Sequence, residues 1–304
     1  MSSPEYASWI NNEEIYVDQV TEVNINRLHY TLNLSGNPPN LGEPVFPMAL
    51  LILGEPSVRP DELGEDGHPA RGGFMPPVPL KRRMFAGGDY EFFQPLNVGD
   101  KVHISWMITD ITSKTGNSGE LVFVDILRQF KVNQQLCATE KRHIVYTDSK
   151  PKTGQTDETE IPGKWKEKIN TNAVQLFRYS AITFNGHRIH YDRKYATEVE
   201  SYPGLVVHGP LLATMLSLFA VRQTGRKLRK FSFRGKHPVF YLNGFTLTGS
   251  FSGKDSAGQS GPLGNKQFWR SDTMVHRASN WFASVRFQST RTYACEVRVN
   301  RENL

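Results

Sequence analysis

Strand-like segments dominate the chain. KVHISWMITDI, ELVFVDILRQF and QLCATEKRHIVYTD are rich in apolar and β-favouring residues and are separated by the turn signals Asn97-Val98-Gly99-Asp100 and Thr115-Gly116-Asn117. The pattern returns in KFSFRGKHPVFYLNGFTLTGSF and MVHRASNWFASVRFQ, and TYACEVRVN closes it. Between the two groups, from Asp148 to Thr171, apolar periodicity gives way to Lys, Thr, Glu, Gly and Pro, which marks a linker. The boundary falls near residue 160, giving halves 1–160 and 161–304, and each half predicts a strongly bent antiparallel sheet.

Each half also carries one candidate central helix. In the second, Pro210 suits the first helical position, Leu211, Leu212, Met215, Leu216 and Phe219 make an apolar face, and Gly225 can end the helix. In the first, FPMALLILG at 46–54 is the counterpart, shorter and without a His-Gly entry. Laying 27–41 against 176–190 puts Tyr30 on Tyr179 and Leu41 on His190. The first half therefore lacks that histidine, and its expected task is to complete a pocket.

Composition narrows the class. A length of 304 residues suits about two domains, and a hydrophobic fraction of 38% suits soluble globular ones. The longest apolar run, Pro210 to Val221, is shorter than the roughly 20 residues a bilayer requires. MSSPEYASWINNEE has neither an apolar h-region nor an arginine-rich character, so a cytoplasmic location without a membrane partner is expected. Cys137 and Cys295 lie far apart and read as free thiols. With no HExxH or paired CxxC pattern, and with His187 and His190 lacking a third ligand, no metal is expected.

The net charge of +6 raises the question of an anionic partner. No nucleic-acid-binding motif accompanies it, so nucleic acid is not expected. The densest cluster, Arg226-Lys227-Leu228-Arg229-Lys230, has two readings: a solvated strand edge, or a contact for the phosphates of coenzyme A or for an acidic carrier protein.

The candidate chemistry is concentrated in SAITFNGHRIHYDRKYATEVESYPGLVVHGP at 180–210. It holds Asn185, His187 and His190 in one polar segment and puts His208-Gly209 directly before the second helix. Histidine moves protons near neutral pH, and backbone N–H groups at a helix start hold developing negative charge. Proton transfer beside an oxyanion site points to thioester chemistry.

FNGHRIHYD at 184–192, followed by YPGLVVHGPLLATML at 202–216, resembles the MaoC-type hydratase/dehydratase family. Within it the resemblance is to the two-hot-dog branch that includes hydroxyacyl-thioester dehydratase type 2, mesaconyl-CoA hydratase and itaconyl-CoA hydratase. LKRRMFAGGDYEFFQPLNVGDKV at 80–102 resembles the basic-aromatic-Gly-Gly segment of that branch's first hot dog. The resemblance implies an α+β double hot-dog, two bent antiparallel sheets each wrapped around a central helix, with a degenerate N-terminal and a catalytic C-terminal unit. It implies reversible hydration of enoyl thioesters, without metal or organic cofactor, on an acyl-CoA or acyl carrier protein substrate; a homodimer is left open.

In that reaction His190 is the candidate general base and Gly209 the oxyanion residue, its N–H being the natural donor because Pro210 has none. Many members of the wider group carry GDxNPxH, whereas this chain has FNGHRIH, with Asn185 at the Asp position and His187 at the Asn position. An amide holds a water but takes no proton, so Asn185 is expected to position the water. The second proton is expected to travel through His190, with His187 and Asp192 as alternatives. Asp192 otherwise caps a turn or orients a neighbour, and His208 fixes the turn before the helix. Arg188, Arg82 and Arg83 are available for a distal carboxylate, which fits a small branched or dicarboxylic acyl-CoA of the mesaconyl or itaconyl kind, giving citramalyl-CoA. The alternatives are a 3-hydroxyacyl carrier-protein dehydratase of fatty-acid synthesis, a hot-dog thioesterase and a non-catalytic acyl-CoA-binding protein.

Overall fold

The computed structural model describes residues 4–116, 119–149, 163–235, 237–242, 244–252, 280–287 and 292–297. The chain runs β1 (Glu13–Gln19), α1 (Glu22–Thr31), a 3-10 helix (Pro47–Ile52), then β2 (Arg82–Phe92), β3 (Lys101–Gly116), β4 (Gly119–Val132) and β5 (Gln135–Thr147). It continues through β6 (Trp165–Ile169), α2 (Ala173–Ile182), α3 (Gly209–Thr224), β7 (Lys230–Arg234), β8 (Phe245–Ser252), β9 (Asn280–Phe287) and β10 (Thr292–Val297). One sheet has the order β1-β3-β4-β5-β2-β7 and the other β10-β9-β8-β6, with every pairing antiparallel. This is the α+β double hot-dog arrangement expected from the sequence.

Period-two burial explains the long strands. Val102, Ile104, Trp106 and Ile108 of β3 face the core, as do Val122, Val124, Ile126 and Phe130 of β4. The same face of β4 carries Arg128, fully buried, with its guanidinium 2.6 Å from Glu140 and 4.3 Å from the centre of the Trp106 ring. Arg128 also donates to the Leu53 carbonyl at 2.5 Å, tying the end of the 3-10 helix to the sheet. Removing one member of such a pair leaves a buried charge uncompensated, at a cost of about 3–5 kcal/mol.

α3 is the hub. Pro210 starts it and Gly225, at φ +66°, ends it. It is buried on nearly every side, from Leu211 through Ala220, and it contacts β2, β8, β9 and the 3-10 helix. Each fully buried Leu or Phe there contributes roughly 1.5–3 kcal/mol.

Three expectations need correction. FPMALLILG forms a six-residue 3-10 helix, entered through Pro47, in place of an α-helix. The stretch from Asp148 to Thr171 is not linker throughout, because Trp165–Ile169 pairs with β8 as β6; residues 150–162, including the expected boundary at 160, lie outside the described residues. The internal comparison also shifts by two positions. α1 and α2 are both ten residues long, both capped by a side chain (Thr21, Asn172), and each is followed by a left-handed residue, Asn33 at φ +53° and Phe184 at φ +50°. Matching them sets Tyr30 opposite Ala181 and Pro39, not Leu41, opposite His190. No histidine occupies the matching position on either alignment.

β7 does not stay with its own half. It pairs with β2, Gly87 opposite Arg234 and Glu91 opposite Lys230, and a bulge between Phe85 and Gly87 interrupts the β2 register with β5. A Cβ on Gly87 would lie 2.2 Å from the Phe233 carbonyl oxygen, so only glycine lets the two backbones approach this closely. No helix among the described residues is long and apolar enough to cross a membrane.

Candidate active site

The turn after α2 builds the site. Phe184 takes the left-handed conformation, the Asn185 N–H donates to the Ser180 carbonyl at 2.9 Å, and the Asn185 Oδ1 accepts the His187 N–H at 3.0 Å. A short 3-10 turn, Arg188–His190, then carries the histidine inward. The Ile189 carbonyl accepts the Val206 N–H at 3.0 Å, and the Val206 carbonyl accepts from His190 Nδ1 at 2.7 Å. That bond fixes the tautomer, with Nδ1 carrying the proton and Nε2 left as a lone-pair base. Burial lowers the His190 pKa to about 4, with the Val206 carbonyl opposing the fall, so the ring is neutral near pH 7.

Behind His190 lies His208, fully buried, its ring stacked at a centroid distance of 3.7 Å. Its Nε2 shares a 2.8 Å hydrogen bond with Ser180 Oγ, and it occupies the N-cap of α3. Gly209 follows as the first residue of the helix, whose opening N–H groups have no partner within the helix. A Cβ at Gly209 would sit 2.6 Å from Phe85 Cδ1, so β2 of the first half presses on the start of α3.

Asn185, His187, His190 and Gly209 line one cavity of about 1510 Å³, together with Arg82, Arg83, Met84, Phe85 and Ala86 of β2. The volume exceeds that of an ordinary small-ligand pocket, roughly 300–1,000 Å³, and accommodates an acyl group with its carrier arm. Of the basic-aromatic run 82–93, the part up to and including the bulge at Ala86 lines it; Tyr90 instead bonds Glu140 inside the sheet. Arg188 and Asp192 are not on its wall. They pair with each other at 2.7 Å, Arg188 also donates to the Glu65 carbonyl, and Asp192 caps the Tyr195 N–H at 3.0 Å. Arg82 is taken by Glu200 at 2.7 Å. The Arg226–Lys230 cluster lies at the far end of α3 from Gly209, where Lys230 pairs with Glu91 and Arg229 donates to the Phe93 carbonyl.

The sequence reading passed over His68. Its ring lies 4.5 Å from that of His187, which is 5.4 Å from that of His190, and His68 lines the same cavity. Two glycines bring it there: a Cβ on Gly67 would lie 2.0 Å from the Gly186 carbonyl oxygen, and one on Gly186 would lie 2.4 Å from that of Gly67. The Arg188 N–H closes the clasp on the Asp66 carbonyl at 2.9 Å. The only local signal was the turn-prone Asp66-Gly67-His68-Pro69. Asp66, His68 and His187 place one potential ligand atom each within 4.8 Å of one another, a spacing that could hold a divalent cation. Burial first, and then the Arg83 charge, hold His68 well below its ordinary pKa. Burial, the neighbouring His190 and Arg83 do the same to His187. Both rings are therefore neutral, and the nearby arginine also opposes the entry of a cation.

Comparison with known proteins identifies the family. The family model described as hydroxyacyl-thioester dehydratase type 2 matches residues 49–241, which include His68, Arg83, His190 and Gly209. A second model, the super-sandwich domain of polysaccharide lyase family 8, covers only residues 263–304. The mesaconyl-C(4)-CoA hydratase of Chloroflexus aurantiacus is 39% identical over 251 residues, 81% of this chain and 89% of the relative. The mitochondrial hydroxyacyl-thioester dehydratase type 2 of Schizosaccharomyces pombe is 30% identical over 193 residues, 54% of this chain and 63% of the relative. Among solved structures, a MaoC-like dehydratase superposes with a TM-score of 0.65 at 12% identity, covering 98% of this chain and all of its own, a likeness of fold. With a family match over more than half of the chain and a relative alike along most of its length, the protein belongs to the hydroxyacyl-thioester dehydratase type 2 family and is a hydratase/dehydratase of thioesters.

Proposed function

We propose that the chain hydrates an enoyl-CoA with a small branched or dicarboxylic acyl group, of the kind the Chloroflexus relative is named for, and runs the reverse dehydration at the same site. The observation that carries this reading is the cavity-facing His190, neutral, with Nδ1 spent on the Val206 carbonyl and Nε2 free. His190 Nε2 takes a proton from water as the oxygen attacks the β-carbon. The Asn185 NH2, left over after its Oδ1 accepts from His187, donates to that water and holds it.

Electron density moves to the thioester oxygen, where the Gly209 N–H and the partial positive charge of the α3 start, roughly half a unit, stabilise the enolate. The imidazolium of His190, steadied by Val206, then returns the proton to the α-carbon on the same face. Neither Arg188 nor Asp192 enters these steps, because they satisfy each other away from the wall.

Mesaconyl-C4-CoA and crotonyl-CoA, followed by enoyl absorbance and by free thiol in parallel, test the reading. Loss of enoyl signal without thiol release is expected. Thiol release would instead establish a thioesterase, and no change with either substrate would remove the hydratase reading.

A further inference from the structure

Among the described residues four arginines line the cavity, and three of them are engaged. Arg71 donates to the carbonyls of Val78, Leu80 and Lys81; Arg82 pairs with Glu200; Arg142 pairs with Glu140 and Glu55. Arg83 has no hydrogen-bond or ion-pair partner among the described residues. The acidic residues on the wall are taken as well, Glu55 by Arg142, Glu14 by Tyr16 and Glu62 by Arg59.

Strand geometry says where Arg83 points. Residues two apart on a strand project to the same side, about 7 Å from one another. Phe85 reaches the start of α3, so Arg83 emerges on the same side one acyl group's breadth away, before the bulge changes the register. Its charge is felt by His68 and His187, whose rings continue the line from His190. A guanidinium without a partner among the described residues, beside two neutral imidazoles, suits an anion: the guanidinium supplies charge and a planar fork, and an imidazole adds an N–H donor. Asp66 stays off the cavity wall, its Oδ1 accepting the His68 N–H.

We propose that Arg83 and His68, with His187 behind them, bind a carboxylate on the β-carbon of the acyl group and so select dicarboxylic thioesters. This deepens the hydratase reading and rests on it. The phosphates of coenzyme A are the other anions available, but the pantetheine arm holds them far from the thioester, whereas this subsite adjoins the base. A carboxylate one bond from the attacked carbon must sit next to His190, and pairing it with Arg83 also lowers its repulsion of the incoming water oxygen.

Succinyl-CoA and butyryl-CoA test this without chemistry. They differ only in a carboxylate or a methyl group on the β-carbon, and neither has a double bond to hydrate. Calorimetric titration of the whole chain is expected to show tighter binding of succinyl-CoA. Arg83→Met should lower that preference on the order of 100-fold, Arg83→Lys should keep part of it, and His68→Ala should lower it less than Arg83→Met does. A merely structural loss would weaken both ligands alike and leave the ratio standing. Equal affinities in the parent protein, or a ratio unchanged in both Arg83→Met and His68→Ala, would overturn the proposal while leaving hydration of crotonyl-CoA, and so the hydratase reading, intact.

Discussion

His190 and Asn185 are neighbours on one turn with different capacities. His190 has a free Nε2 and a pKa lowered to about 4, so it is a base at any pH well above that value. If it is the base, kcat/KM should stay level from neutrality downward and fall about tenfold per unit once pH drops through about 4 and the ring protonates. A limb near pH 6.5 in protein that is still folded by circular dichroism would contradict the buried-base assignment. His190→Ala should lower turnover on the order of 100- to 10,000-fold without loss of fold. For Asn185, whose Oδ1 already holds the His187 N–H, Asn185→Ala removes both the turn bond and the water donor and should cost on the order of 100-fold through misplacement. Asn185→Asp keeps the acceptor and should retain more activity with a shifted pH profile; equal losses in the two variants would assign Asn185 to the turn alone. These residues were legible because they are contiguous, so a linear motif displays them together. His68 was not, because a tertiary contact between two glycines delivers it, and nothing in the local sequence encodes that contact.

Among elements, the long strands were readable from their composition, and α3 from Pro210, its apolar content and Gly225. The elements that escaped have physical reasons. β6 is short and charged at its three central positions, WKEKI, with an alternating intermediate and exposed pattern that imitates a linker. The 46–54 segment is apolar throughout, which does not distinguish an α-helix from a shorter 3-10 turn held by Arg128 at its end. Arg128 itself looks like a surface charge in sequence, and its partners Glu140 on the adjacent strand, Glu55 and the Leu53 carbonyl make its burial affordable. The loop carrying His68 depends in the same way on its partner across the clasp. Gly67 sits at φ +87° against the Gly186 carbonyl, so Gly67→Ala adds backbone strain and a collision, about 1–3 kcal/mol in all. Urea denaturation is expected to show that loss for Gly67→Ala and almost none for Gly73→Ala, where a Cβ meets nothing within 4 Å. Equal stability of the two variants would mean that the clasp is not tight.

In the whole molecule the two halves are not interchangeable copies. α1 touches α2 and the 3-10 helix touches α3, in the manner of a repeat, but the position equivalent to His190 in the first half is Pro39, and a 3-10 helix stands where the second half has a helix entered through His208 and Gly209. The first half instead supplies wall: Phe85 against the helix start, Arg83 and His68 beyond it, and β2 as the partner of β7. A cavity shared in this way should hold one thioester per chain. Calorimetry with butyryl-CoA should give a stoichiometry of one, and Phe85→Ala should alter the preference for acyl size while His190 continues to act as base. The fragment 161–304, which lacks the β2 edge for β7 and one wall of the cavity, should hydrate neither crotonyl-CoA nor mesaconyl-C4-CoA. Two equivalent sites per chain, or full activity in that fragment, would show that the first half is dispensable, and the subsite assigned to it would have to be sought on the second half's own loops.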